Sequence, residues 1–181
     1  MKLTFDYDYM GRRVVKKVWT YDAQSEDWDL TQDLRFVYDG WNVVMVLTPN
    51  SDPQETDLEI VRMYTWGLDL SNSIHGAGGI GGLLACEEPQ TVGDPKKYWY
   101  LYDANGNVGQ ILDATDDQSI TLAARYEYDP YGNIVGPDDD SDGEWRDDAG
   151  SYAATNPFRF STKWLDDELA ATGQTGAVGT T

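Results

Sequence analysis

The 181-residue chain holds one cysteine and one histidine. Cys86 therefore has no partner for an internal disulfide, and without a CxxC pair or a histidine cluster the sequence offers no cysteine or histidine zinc site. Cations are scarce too: 13 Lys and Arg stand against 32 Asp and Glu, a formal net charge of −19. A field of that sign repels a phosphate backbone, whose binding depends on neutralisation by cations, so no nucleic-acid partner is expected. No run reaches the roughly 18 uncharged apolar residues that a spanning helix needs, and Met1-Lys2-Leu3-Thr4-Phe5-Asp6 lacks the apolar core of a secretory signal. No membrane span is expected.

What the chain has instead is rings: 12 Tyr, 7 Trp and 4 Phe. At this length a folded chain buries about 70% of its unfolded surface, so a core is within reach and the rings must carry its packing. The length fits one domain, or one piece of a larger repetitive one.

A short unit recurs. Tyr7-Asp8-Tyr9-Met10-Gly11, Tyr38-Asp39-Gly40-Trp41-Asn42, Tyr102-Asp103-Ala104-Asn105-Gly106 and Tyr128-Asp129-Pro130-Tyr131-Gly132 share Tyr-Asp, two variable residues, then Gly or Asn. Tyr64-Thr65-Trp66-Gly67 reads as a degenerate fifth copy. Each unit suits a strand, a turn and a strand: Asp caps backbone two residues on, and Gly or Asn in the last place tolerates positive φ. Asn105-Gly106 is the strongest single hairpin signal. Before it, Tyr98, Tyr100 and Tyr102 share one face of an extended segment, with Trp99 and Leu101 on the other. Further extended segments are expected at 3–7, 14–19, 35–38, 43–47, 59–66, 83–86, 108–112, 120–128 and, more weakly, 158–160, with a helical turn near 162–169. The fold class expected is all-β, with antiparallel hairpin repeats forming an open, spiralling sheet.

These units resemble the RHS or YD-repeat family, named for its recurring Tyr-Asp unit. Gly67-Leu68-Asp69-Leu70-Ser71, leading into Gly76-Ala77-Gly78-Gly79-Ile80-Gly81-Gly82, resembles the segment before the last repeats of bacterial members. Asn156-Pro157-Phe158-Arg159-Phe160-Ser161-Thr162-Lys163 resembles the entry into the RHS-associated core region. The resemblance spans residues 1 to about 168. It implies a β-sheet shell enclosing a cargo, often a toxin domain, in a protein that is secreted or held at the cell surface. Its partners would be the remaining repeats of the shell and the enclosed toxin. The expected organisation is hairpin repeats over 1–136 with a Gly-rich segment at 76–82, an acidic loop insertion over 137–150, the start of the core region over 151–168, and a disordered tail over 169–181. After Glu168 the family pattern would continue with an Arg-Tyr-Tyr-Asp-Pro unit; the chain runs instead into Ala170-Ala171-Thr172-Gly173, so a truncated or frameshifted fragment is expected. On this reading Tyr7, Asp8, Gly11, Tyr38, Asp39, Asn42, Tyr102, Asp103, Gly106, Tyr128, Asp129 and Gly132 define repeats, and the chain is a structural part and no enzyme.

Four motifs invite chemistry. Asp129-Pro130-Tyr131-Gly132 matches the letters of the family's autocleavage site, but lies inside a repeat, where Pro fixing φ makes it a turn. Gly76-Ala77-Gly78-Gly79-Ile80-Gly81 matches GxGxxG without the flanking strand and helix of a dinucleotide site, so it reads as close backbone packing and no cofactor is expected. Asp138, Asp140 and Asp142, followed by Gly143, begin like a calcium loop, yet Ala149 stands where the bidentate Glu belongs. They form a weak calcium candidate beside the reading as a solvated loop. Ser73 and His75 lack a nucleophile elbow and an orienting carboxylate, so no catalytic residue is named. The alternative function is carbohydrate binding through Tyr and Trp faces, Trp41 and Trp99 foremost, with a glycan as partner.

Overall fold

Period-two alternation decides the architecture. Along Lys96–Tyr102, Tyr98 and Tyr100 are buried while Trp99 and Leu101 are exposed, so one face of the segment seeks a core and the other does not. The computed structural model describes residues 1–50, 56–137 and 148–170. Nine strands run in chain order as one antiparallel sheet: β1 (Lys2–Tyr7), β2 (Arg13–Asp22), β3 (Asp27–Asp39), β4 (Asn42–Pro49), β5 (Leu58–Trp66), β6 (Leu83–Glu88), β7 (Lys96–Tyr102), β8 (Val108–Asp113) and β9 (Thr121–Arg125). A separate hairpin pairs β10 (Glu127–Tyr128) with β11 (Ile134–Gly136). The sheet does not close on itself, so the fold is all-β and open, built from hairpins in sequence. In a meander each strand pairs with its chain neighbour, so every odd-to-even turn falls at one end of the sheet. The Tyr7, Tyr38, Tyr64 and Tyr102 units occupy that end, and the Tyr128 unit makes the turn of the β10–β11 hairpin.

One face of the sheet is covered by the chain's own last described stretch, a strap over 148–170. Arg125 N–H donates to the Ala149 carbonyl and Tyr152 N–H to the Ala123 carbonyl, so the strap starts bonded to the outer edge of β9. It then crosses the sheet. Tyr152 stacks on Tyr98 of β7 at 3.8 Å, Phe158 meets Tyr64 of β5 edge-on at 5.1 Å, and Trp164 meets Phe36 of β3 at 5.1 Å. It ends over β2, where Asp166 accepts from Arg13 at 2.5 Å and from Lys16 at 2.9 Å. The core lies between sheet and strap: Val46, Leu83, Cys86, Val108, Ile111 and Ala124 from the sheet, with Tyr152, Ala153 and Phe158 from the strap.

Some expectations need correction. Residues 158–160 form no strand; Phe158 makes an isolated bridge with Trp164, and Phe160–Thr162 is a 3-10 turn with Ser161 at φ 51°. The reason is that the backbone there serves the turns below it, the Arg159 carbonyl accepting from Val108 N–H at 3.1 Å. The segment 120–128 breaks at Tyr126, whose N–H turns to the Gly109 carbonyl while its ring is buried. The expected helical turn is α1 (Asp167–Ala170). β3 begins eight residues earlier than the apolar pattern indicated, because Asp27 to Asp33 is exposed or half-buried and is held by ladder bonds to β2 rather than by a core, which the strand joins at Leu34. Residues 138–147 and 171–181 of the expected loop and tail lie outside the described residues, whereas Ala149 and Gly150 belong to the strap.

Candidate functional site

Three of the four Tyr-Asp units close identically. In each, one carboxylate oxygen accepts from the backbone N–H two residues on: Met10 at 2.9 Å for Asp8, Asn105 at 2.8 Å for Asp103, Tyr131 at 2.8 Å for Asp129. The same oxygen accepts from the N–H four residues on, in Arg12, Asn107 and Asn133. The second oxygen takes the side chain of that fourth residue at 2.8, 2.7 and 2.6 Å. The intervening glycine sits at positive φ, 79° at Gly11, 77° at Gly106 and 90° at Gly132, where a side chain would be strained. Burial pushes the Asp8 and Asp103 carboxyls up, but their turn hydrogen bonds outweigh it and hold both below the usual value; the Asn133 side chain leads the same lowering at Asp129.

The Tyr38 unit departs from this pattern. Asp39 pairs with Asn42 across a two-residue turn with Gly40 at φ 57°, the first central position that a type II′ hairpin requires to be positive. Asn42 therefore does not take the positive-φ place expected of it. Its buried side chain instead donates to the Ile74 carbonyl at 3.2 Å, fastening the glycine-rich loop.

The tyrosines act in series. Tyr38 Oη donates to the carbonyl of Arg13 at 2.9 Å, Tyr128 Oη to that of Val108 at 2.9 Å, and Tyr102 Oη to that of Leu83. Each acceptor is the first residue of the preceding even-numbered strand. At the degenerate unit the donor is the indole of Trp66, whose Nε1 reaches the carbonyl of Val43, first but one in β4, at 2.7 Å. Trp66, rather than Tyr64, thus fills the motif's structural place, and Tyr64 lies two residues back in the core. Each bond ties the end of one hairpin strand to the start of the one before it. Tyr7, in the first strand, has no such acceptor among the described residues, and its ring is 60% exposed.

The glycine-rich stretch is a loop between β5 and β6 wrapped around Asp69, which is 4% exposed. Its carboxylate accepts from Ser71 N–H at 2.9 Å, Ser71 Oγ at 2.6 Å, Ala77 N–H at 2.6 Å and Gly79 N–H at 3.2 Å. Burial would raise its pKa; these bonds outweigh that and hold it at about 2. No helix follows the GxGxxG letters. Ser73 Oγ accepts from Gly76 N–H at 2.7 Å, while His75 lies beside Asn42 and 3.9 Å from Asp39, so the Ser-His pair is not assembled. The Asp129-Pro130 site is the third of the identical turns. The calcium candidates Asp138, Asp140 and Asp142 lie outside the described residues, and among the described residues no group of three or more His, Cys, Asp or Glu is placed to hold a metal ion.

The strap is pinned by two polar residues. Asn156, fully buried, accepts from Tyr100 Oη at 2.9 Å and donates to Tyr126 Oη at 3.2 Å and to the Phe158 carbonyl at 2.5 Å. Arg159 fills the strap's bend, donating to the carbonyls of Asn156, Ala153 and Ala154 and to both oxygens of Asp167. Thr162 Oγ1 then links Gly81 N–H to the Gly106 carbonyl, joining strap, glycine-rich loop and the β7–β8 turn. Where strap, loop and the first two turns meet there is a cleft of about 560 Å³, walled by Tyr7, Tyr38, Trp41 and Trp66 and carrying Arg12 and Lys163. The chain matches no family model and no curated protein.

Proposed function

We propose that the chain is a piece of structural wall of the RHS kind, part of a β-shell that encloses a toxin cargo in a protein secreted or held at the cell surface. The observation that carries this reading is the repeated tie: Asp8, Asp103 and Asp129 shape their turns, and Tyr38, Tyr102, Tyr128 and, at the degenerate unit, Trp66 bond backwards to the strand before. Such ties spend the motif residues on holding hairpins side by side, the requirement of a wall made of nearest-neighbour units. The strap supports it, because it leaves one face lined and ordered while the other shows Leu84, Trp99, Leu101 and Leu122. On this reading Tyr7, Tyr38, Tyr102 and Tyr128 and their Asp partners perform no chemistry. Sequencing the locus on both sides tests it: further Tyr-Asp units upstream and an Arg-Tyr-Tyr-Asp-Pro unit in some downstream frame are expected, and unrelated genes on both flanks would refute it.

A second reading has its own observation. Trp41 is 58% exposed at the mouth of the cleft, with Tyr7 facing the same space, and exposed rings beside polar side chains suit a sugar face. A saturable glycan-array signal lost in Trp41→Ala would carry it; silence across the array would remove it.

A further inference from the structure

The nine-stranded sheet has two edges, and they are not alike. That of β9 is bonded to the strap through Ala149 and Tyr152, whereas β1 faces no other strand among the described residues. Copies of the chain therefore cannot stack head to tail, β9 onto β1, without displacing the strap. What the geometry leaves is β1 against β1, which closes after two copies.

The sequence of β1 fits that pairing. In an antiparallel register centred on Thr4, Thr4 opposes itself, Leu3 opposes Phe5, and Lys2 opposes Asp6. Opposed residues share a face. Lys2, Thr4 and Asp6 lie on one face, where Lys2 already sits over the Trp19 ring at 4.7 Å, and Leu3 and Phe5 lie half-buried on the other. Two opposite-charge pairs and two apolar pairs result, with no like charges opposed. The tie that orders the rest of the sheet can also be made across this pairing. At Tyr38, Tyr102 and Tyr128 the hydroxyl reaches the carbonyl on the preceding strand that faces the residue before the tyrosine, as the registers of Arg35 with Val15, Trp99 with Ala85 and Arg125 with Gln110 show. For Tyr7 that residue is Asp6, and in the Thr4-centred register the carbonyl facing Asp6 belongs to Lys2 of the second copy.

We infer that the 181-residue chain forms a two-fold dimer through β1, with Lys2 paired to Asp6 and Tyr7 Oη donating to the Lys2 carbonyl across the axis. This goes beyond the wall reading, in which an upstream hairpin would take that edge, and concerns the 181 residues by themselves. A six-residue strand pair buries less than the roughly 1,000 Å² of a stable interface, so the dimer is weak, formed at about 100 µM and above. The exposed Met1, Tyr9 and Met10 beside it add apolar contact.

Oxidative cross-linking of the intact chain tests the register. Thr4→Cys places the two introduced thiols directly opposite each other, within about 5 Å between Cβ atoms, while Asp6→Cys sets them four residues out of register. Cys86 is buried and does not compete. Thr4→Cys is expected to give mostly disulfide dimer at about 100 µM, and Asp6→Cys to stay monomeric on the same gel. Sedimentation then reads charge: Lys2→Asp and Asp6→Lys should each drop the dimer fraction at least about tenfold, and the double exchange should restore it, with unfolding transitions unchanged. A chain monomeric at about 500 µM, equal cross-linking at both positions, or single exchanges without effect would overturn the inference. A monomer with an intact unfolding transition leaves the wall reading standing and gives the β1 edge to some other hairpin.

Discussion

Replacing Asn156 by Ala should cut deeply into stability, for a reason that can be counted. Asn156 has no exposed surface, and its amide oxygen takes the Tyr100 hydroxyl at 2.9 Å and the Phe158 N–H at 3.3 Å. Its nitrogen serves Tyr126 Oη and the Phe158 carbonyl. After truncation Tyr126 keeps its bond to the Ala153 carbonyl at 2.8 Å, but the Tyr100 hydroxyl and the Phe158 N–H lose this acceptor inside the core. Each buried donor left unmade costs about 1–3 kcal/mol, so the pair costs about 2–6 kcal/mol against a typical total of about 5–15 kcal/mol. With a urea slope of about 2 kcal/mol/M, the midpoint followed by tryptophan fluorescence should fall by about 1–3 M, while Ser151→Ala on the exposed side of the strap should not move it. A shift below about 0.3 M for Asn156→Ala would refute the claim that the strap is locked through this amide.

Other consequences concern the turns and the loop. Gly106→Ala puts a Cβ 2.5 Å from Ile80 Cγ2 and 3.1 Å from Gly81 N at φ 77°, whereas Gly11→Ala at φ 79° meets nothing within 4 Å. The second should cost only the left-handed strain of about 1–2 kcal/mol and the first clearly more, as paired thermal unfolding would show. The pKa of Asp69 is held at about 2, below its unfolded value of about 3.9, so its contribution is full above the unfolded value and is lost as pH falls from about 5 through 2. Asp69→Asn should be less stable at pH 7 and lose less on acidification over that window, read by unfolding midpoints at each pH.

The turns were legible because their chemistry is local: an Asp that caps two residues on and a Gly with no Cβ are both visible in a five-residue window. That is why three of the four units close as their spelling indicates, and why Tyr38 escapes it, its glycine coming two places early and shortening the turn. The degenerate unit aligns on Tyr64 because spelling favours the tyrosine, although the Trp66 indole offers the same kind of donor as a phenol. The strap is not legible in sequence: resemblance singles out Asn156 to Lys163 without saying that they cover the sheet, and their contacts with Tyr64 and Tyr100, like that of Tyr152 with Tyr98, join residues 50 or more apart. The role of Asp69 had no signal beyond its neighbouring glycines: a buried carboxylate that collects four donors reads in sequence like any of the chain's other acids.

The most direct trial of the account is a set of four tyrosine-to-phenylalanine exchanges, unfolded in urea at low micromolar chain concentration. Tyr38→Phe, Tyr102→Phe and Tyr128→Phe each delete one backward tie and keep the ring, so each should lose about 0.5–1.5 kcal/mol or more, while Tyr7→Phe, with no acceptor among the described residues, should lose almost nothing. Equal losses at all four positions, or none at the first three, would contradict the claim that the Tyr-Asp residues exist to bind one hairpin to the next.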